Sequence, residues 1–217
     1  MLKKIYLNIL NQIRVCNEKK FLRKLKNNLT NSDITIVCNN CIGGVMYHNL
    51  GLKFLSPTIN LSIHGEEYLE FVKNFKYYIS CDVFEAEMET NYPIGIIKPD
   101  NDKYIPIHLH FQHYKSFEQA KYKWNERKSR INWDNILFIW EFYDLSYDNS
   151  MIYEFDKLPI NKMIITHRYF ENLDNQYRVS CYVDDKPVSK ILSYDGITGK
   201  RFLDEVDYLT VINNIKK

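Results

Sequence analysis

Three groups of residues have the types and spacing to do chemistry. The first is Cys38-Asn39-Asn40-Cys41, followed at once by Ile42-Gly43-Gly44. A CxxC spacing serves dithiol redox chemistry or half of a zinc site. The chain has no second CxxC, and Asn-Asn and Gly-Gly are not the context of a redox turn, so no metal site is assigned. Cys41 fits another role. A thiol in a polar turn beside the backbone N–H groups of Gly43 and Gly44 has what attack on an acyl carbon needs, a lowered pKa and donors for the oxyanion. The plainer alternative is a buried inert thiol, which is expected of Cys38 at the end of an apolar run.

The second group is His108, His110 and His113 in IHLHFQHY. On a strand His108 and His110 share a face while His113 opposes them, which counts against a three-histidine metal site. One imidazole, with a pKa near neutrality, suits a general base, and hydrogen-bonded structural histidines are the alternative. The third group is Lys123, Arg127 and Arg130, at i, i+4 and i+7 of a helix. Such a stripe matches a phosphate, pyrophosphate or sugar carboxylate, with arginine binding bidentately. Solvated surface charges are the other reading, with Glu126 neutralising part of the field.

The elements that must position these groups follow from periodicity. ITIVC (34–38) reads as a buried parallel strand, and the turn after it opens a helix that Gly51 closes. The carboxyl end of such a strand is where open α/β sheets place ligands. INLSIH (59–64) is a further strand candidate, and 66–80 has the apolar stripe Leu69, Val72, Phe75 and Ile79 of an amphipathic helix. Short strands are expected at 83–88, 94–98 and 105–112, with a helix at 116–130 placing Phe117, Ala120 and Trp124 inward. ILFIW (136–140), KMIITH (162–167) and YRVSCYV read as strands, YDLSYDNS as a loop, and 202–215 as helical turns. The alternation predicts an α/β fold, a layered and mostly parallel sheet flanked by helices.

Composition bounds the class. The 217 residues are 45% apolar and 15% aromatic, enough for a core, and no apolar run approaches the roughly 20 residues that span a bilayer. A net charge of +2, from 29 basic and 27 acidic residues, gives no general reason to expect nucleic acid. Five scattered cysteines, an odd number without a cleavable signal before them, read as reduced thiols of a cytoplasmic protein. The charge is uneven. Residues 1–30 hold eight Lys or Arg against Glu18 alone, a local +7 that leaves −5 for the rest. Leu2, Ile5, Ile9, Leu10, Ile13, Phe21, Leu22 and Leu25 recur there at helical spacing. The segment reads first as a packed helix with a solvated basic face, and alternatively as a basic amphipathic helix resting on anionic lipid at the inner face of the cell membrane.

Several stretches together resemble a known family. CNNCIGGVMYHNLGLKFLSPTINL, EEYLEFVKNFKYYIS, YPIG, HFQHYKSFEQAKYKWNERKSRINWDN and FDKLPINKMIIT, in that order over about 33–170, look like the bacterial domain-of-unknown-function family 1919. Its members are often labelled exopolysaccharide biosynthesis proteins. The family usually has Ser-Asn-Asn-Cys followed by Trp, whereas this chain has Cys38 and Ile42 at those two places. The matching set is therefore Asn39, Asn40, Cys41, Gly43 and Gly44. The resemblance implies surface-glycan assembly and an α/β fold. The Asn-Asn-Cys turn also resembles, by analogy, the nucleophile-bearing first turn of atypical hydrolase-like polysaccharide acetyltransferases.

The resulting expectation is one α/β domain over 1–217, made of a basic N-terminal helix (1–30), a family-like core (33–170) and a C-terminal extension (171–217). Its expected activity is that of a surface-polysaccharide transferase, foremost an acyltransferase. Cys41 or a substrate hydroxyl would be the nucleophile, His113 the base, and Asn40 with the Gly43 and Gly44 amides the oxyanion donors. Substrate would touch Asn39, Gly43, Gly44, Tyr47, Tyr114, Lys123, Trp124, Arg127 and Arg130, with the three cations clamping donor phosphates. Partners would be a sugar or glycan-lipid acceptor and a phosphate-bearing donor, acyl-CoA as co-substrate, with no tightly bound cofactor. The alternatives are a glycosyltransferase using a nucleotide sugar, although no Asp-x-Asp is present, and a non-catalytic glycan-binding or assembly protein that stacks sugars on its aromatic residues.

Overall fold

The strand Ile136–Phe142 shows why the centre is layered. Phe138, Trp140 and Phe142 enter one apolar cluster while Leu137 and Ile139 enter another, so both faces need cover. The computed structural model describes residues 2–144, 146–181 and 190–215, apart from the side chains of Leu2 and Lys3. In chain order the elements are α1 (Leu2–Asn27), β1 (Thr35–Cys38), α2 (Ile42–Leu50), α3 (Gly65–Lys73) and α4 (Phe75–Ser80). Then follow β2 (Val83–Glu85), β3 (Ile94–Ile97), β4 (Ile107–His110), α5 (Phe117–Lys128), β5 (Ile136–Phe142) and α6 (Ser150–Asp156). The chain continues with β6 (Lys162–Thr166), β7 (Gln176–Arg178), a 3-10 turn (Phe202–Glu205) and α7 (Tyr208–Asn213).

The fold is α/β. Strands β1, β5, β6 and β7 form a parallel sheet in the order β1-β5-β6-β7, with Val37 beside Phe138, Trp140 beside Ile164 and Thr166 beside Arg178. One face packs on α3, α4, α5 and α6 through Leu69, Phe71, Phe75, Trp124 and Phe155. The other packs on α2, α7 and the end of α1 through Ile42, Met46, Tyr47, Ile212 and Leu25. The outer edge of β1 is closed by side chains in place of a further strand. The Tyr47 hydroxyl donates to the Ile34 carbonyl and accepts from the Ile36 amide, both at 2.8 Å. The Cys38 amide donates to Thr58 Oγ1 at 3.1 Å.

Several expectations are corrected in detail. The short strands of the middle region do not join the parallel sheet but form an antiparallel one of their own, in the order β2-β3-β4. INLSIH forms no strand, only a single bridge from Ser62 to His110, because its amides serve the Asn39 turn and β4 separately. The 66–80 helix is broken at Asn74, whose side chain bonds Glu70 Oε1 at 2.8 Å. The end of YDLSYDNS starts α6. The YRVSCYV strand is shorter, ending at Arg178, and Tyr182 and Val183 lie outside the described residues.

Gly43 is fixed by packing. A Cβ there would stand 2.9 Å from the Cβ of Cys38, so α2 lies as close to β1 as a glycine permits. Gly43→Ala should cost about 1–3 kcal/mol in a denaturant melt, as overpacking does. Cys38→Ala, which keeps the clashing Cβ, should not relieve that loss.

Candidate active site

Period-two alternation puts one side chain from each of three neighbouring strands on the same face at their carboxyl ends. Counting from Leu137 and Ile139 leads to Glu141, from Met163 and Ile165 to His167, and from Tyr177 and Val179 to Cys181. The strand order makes them neighbours in that sequence. Glu141 is fully buried and its Oε1 stands 2.9 Å from His167 Nε2. His167 Nδ1 in turn faces Cys181 Sγ at 3.5 Å, and the Cys181 residue is 5% exposed. A thiol, an imidazole and a carboxylate in hydrogen-bonded series are the parts of an activated nucleophile.

The Asn-Asn pair supports this series from β1. The Asn39 side chain pairs with the backbone of Glu141 as a neighbouring strand would, its Oδ1 accepting from the Glu141 amide at 2.9 Å and its Nδ2 donating to the carbonyl at 3.1 Å. Asn40 Nδ2 donates to the second carboxylate oxygen of Glu141 at 2.5 Å, and Asn40 Oδ1 accepts from the Ile42 amide at the start of α2. A buried carboxylate requires such partners, because an unpaired one costs several kcal/mol. Burial works against a charge on His167, but its hydrogen bonds to Cys181 and Glu141 and the Glu141 charge outweigh this and raise its pKa to about 9. At neutral pH the ring is an imidazolium, donating from Nε2 to Glu141 and from Nδ1 toward the sulfur.

A family assignment covers nearly the whole chain. The model of a family described as a domain of unknown function (DUF1919) matches residues 12–213. The chain belongs to DUF1919. A Haemophilus influenzae protein described as uncharacterized is similar to it, 30% identical over 193 residues that cover 88% of this chain and 90% of the relative. The matched region runs past 170 and takes in β7 and Cys181.

The structure separates the residues singled out from sequence. Asn39 and Asn40 stand in the site, where their side chains bond the backbone and the carboxylate of Glu141. The Gly43 amide, with that of Asn40, favours the Cys38 thiolate, yet full burial dominates and drives that thiol up to about 12. Gly43 is itself buried at the start of α2. Cys41 is half-buried, with its pKa pushed up to about 11 by burial and not lowered as expected. His113 is exposed in the turn after β4, and no bond joins it to Cys41 among the described residues. His108 pairs instead with Glu67 at 2.9 Å, and His110 stacks on His64 with ring centres 4.4 Å apart.

The anion stripe is also revised. Arg127, expected at the surface, is 7% exposed, and its Nη1 donates to the Tyr114 hydroxyl at 2.6 Å and the Ile59 carbonyl at 3.2 Å. Tyr114 bonds the same carbonyl at 3.0 Å, and Gly44 lies against Ile59, so these residues brace the 59–60 bend on α2 and α5. Lys123 and Arg130 both close on Glu126. Tyr47 and Trp124, placed among the substrate contacts, are core residues at 0% and 1% exposure. Among the described residues no group of three or more His, Cys, Asp or Glu could hold a metal ion.

The sequence reading passed over Glu141, His167 and Cys181. A signal was present: a glutamate inside the seven-residue run ILFIWEF is a buried charge that needs a partner. KMIITH ends in a histidine and YRVSC in a cysteine of the same parity.

Proposed function

We propose that this DUF1919 protein is a cysteine-dependent acyltransferase of surface-polysaccharide assembly, with Cys181 as the nucleophile in place of Cys41. The observation that carries the reading is the series Cys181–His167–Glu141 across the carboxyl ends of β7, β6 and β5. Among the described residues Cys41 has no imidazole partner, whereas Cys181 has one already oriented by a buried carboxylate. The donor is an acyl thioester such as acyl-CoA and the acceptor a sugar hydroxyl, the latter resting on the glycan setting that the family resemblance implies.

In the first half-reaction the Cys181 sulfur, as the thiolate facing the imidazolium, adds to the donor carbonyl and forms an S–C bond. The C–S bond to the donor breaks, and His167 passes its proton to the departing thiolate. In the second, neutral His167 takes the proton of the acceptor hydroxyl as its oxygen attacks the acyl-cysteine. The Cys181 sulfur then leaves as thiolate beside the restored imidazolium. Glu141 holds the ring in position and balances its charge, and Asn40 holds Glu141.

Incubation with a panel of acyl-CoAs and intact-mass measurement tests this directly. An acyl adduct should form on the wild-type protein and on Cys41→Ala, and be absent from Cys181→Ala. An adduct that survives Cys181→Ala and disappears with Cys41→Ala would return the role to Cys41. No adduct and no donor turnover with any acyl-CoA would leave the three residues a structural network.

A further inference from the structure

Most of the first half of α1 is exposed. Every residue from Lys4 to Leu7 and on to Ile9 is exposed, including Ile5 at 50%, Tyr6 at 62%, Leu7 at 54% and Ile9 at 49%, and Ile13 follows at 41%. Ile5, Tyr6, Ile9, Ile13 and the exposed Cys16 fall within about 100° of arc on an α-helix, a continuous apolar stripe. The opposite side is taken further along the helix, at residues 14–18. Arg14 stacks over the Tyr194 ring at 3.9 Å, Glu18 accepts from the Tyr194 hydroxyl at 2.6 Å, and Gly199 lies directly on the backbone of residues 14–18. Only the far end, through Phe21, Leu22 and Leu25, reaches the core. The helix is thus anchored at its middle and end while its apolar stripe faces away from the body.

The charge around that stripe selects what covers it. Residues 1–30 carry eight cations and Glu18 alone, and Glu18 is held by Tyr194 and Arg14. Lys4, Lys19, Lys20, Arg23, Lys24 and Lys26 are all exposed. A second copy docked through the same helix would set two such cationic segments against each other, which like charge opposes. An anionic lipid surface satisfies both features, apolar side chains entering the acyl boundary while lysines reach the headgroups. No helix among the described residues is long and apolar enough to cross a membrane, so any contact made by α1 is peripheral.

We propose that α1 docks this protein on anionic membrane, its Ile5-Tyr6-Ile9-Ile13 stripe lying in the headgroup layer. The inference stands apart from the acyltransferase reading, since it uses none of the same residues. Co-sedimentation of the full chain with phosphatidylcholine vesicles, and with the same vesicles containing phosphatidylglycerol, tests it. Binding should require the anionic lipid and fall steeply with added salt. It should weaken about fivefold for each of Lys4→Gln, Lys19→Gln and Lys20→Gln. Ile9→Asp, at an exposed position, should abolish binding with the denaturant midpoint unchanged. Equal recovery on both vesicles, or none on either, would overturn the proposal. So would a concentration-dependent dimer in sedimentation velocity that Ile9→Asp dissolves, because the stripe would then belong to a second copy.

Discussion

Glu141→Ala should lower stability by about 3–5 kcal/mol in a denaturant melt, the loss expected when one member of a buried charge pair is removed. The carboxylate is fully buried and joins three strands: its oxygens bond Asn40 of the β1 turn and His167 beyond β6, while its own backbone bonds Asn39. Its removal leaves an amide and an imidazolium buried together without their acceptor. Glu141→Gln, which keeps the shape, should cost less and reveal itself through pH. His167 is raised from an ordinary 6.5 to about 9 in the folded protein, so the folded state holds a proton that the unfolded chain releases. The stabilisation is full below about pH 6.5 and lost as the pH rises through about 9. Wild-type stability should therefore decline across that window, and the contribution from His167 should be reduced in Glu141→Gln, where the bond to Cys181 remains, and absent in His167→Gln. A Glu141→Ala midpoint indistinguishable from wild type would show that the network does not hold the strand ends together.

The second large effect concerns rate. His167→Gln should reduce acyl transfer from a thioester donor by about 10⁶-fold, the loss seen when the imidazole of a nucleophile–base–carboxylate series is removed. The measurement is release of free donor thiol over time, read against Cys181→Ser and wild type. Because the residues of such a unit act together, the double variant Cys181→Ser/His167→Gln should be little slower than either single one. Additive losses would mean that the two side chains act independently. A His167→Gln rate within tenfold of wild type would remove His167 from the proton path. Substitution of Arg127, by contrast, should register in stability first, because its guanidinium is spent on Tyr114 and Ile59 inside the fold.

Sequence alone determined much of the architecture. Apolar periodicity located β1, β5, β6, the helix after β1 and the long helix at 117–128, because burial of one stripe or two faces leaves a local record. The Cys38-Asn39-Asn40-Cys41 turn and the family resemblance also singled out Asn39 and Asn40. What they bond was not legible. Glu141 is 102 residues away from Asn39, and His167 is 26 from Glu141, separations at which spacing carries no information about contact. Only the parallel order β1-β5-β6-β7 brings Asn40, Glu141, His167 and Cys181 onto one edge, and pairing order is set by how the sheet closes over its two cores, not by any local pattern.

The same gap explains the residues that moved. Lys123, Arg127 and Arg130 do lie on one helix as their spacing requires, but helical spacing fixes only which residues share a stripe. Whether a stripe meets solvent, a partner carboxylate or a backbone carbonyl depends on what packs beside it, and here Glu126, Tyr114 and Ile59 take all three cations. Cys41 and Cys38 likewise share a turn that the sequence marked correctly, while burial decided that both thiols are held neutral. Local sequence wrote the strands, helices and the Asn-Asn turn of this protein. The tertiary structure alone chose which thiol meets an imidazole, because a hydrogen-bonded series across three strands exists only once those strands are side by side.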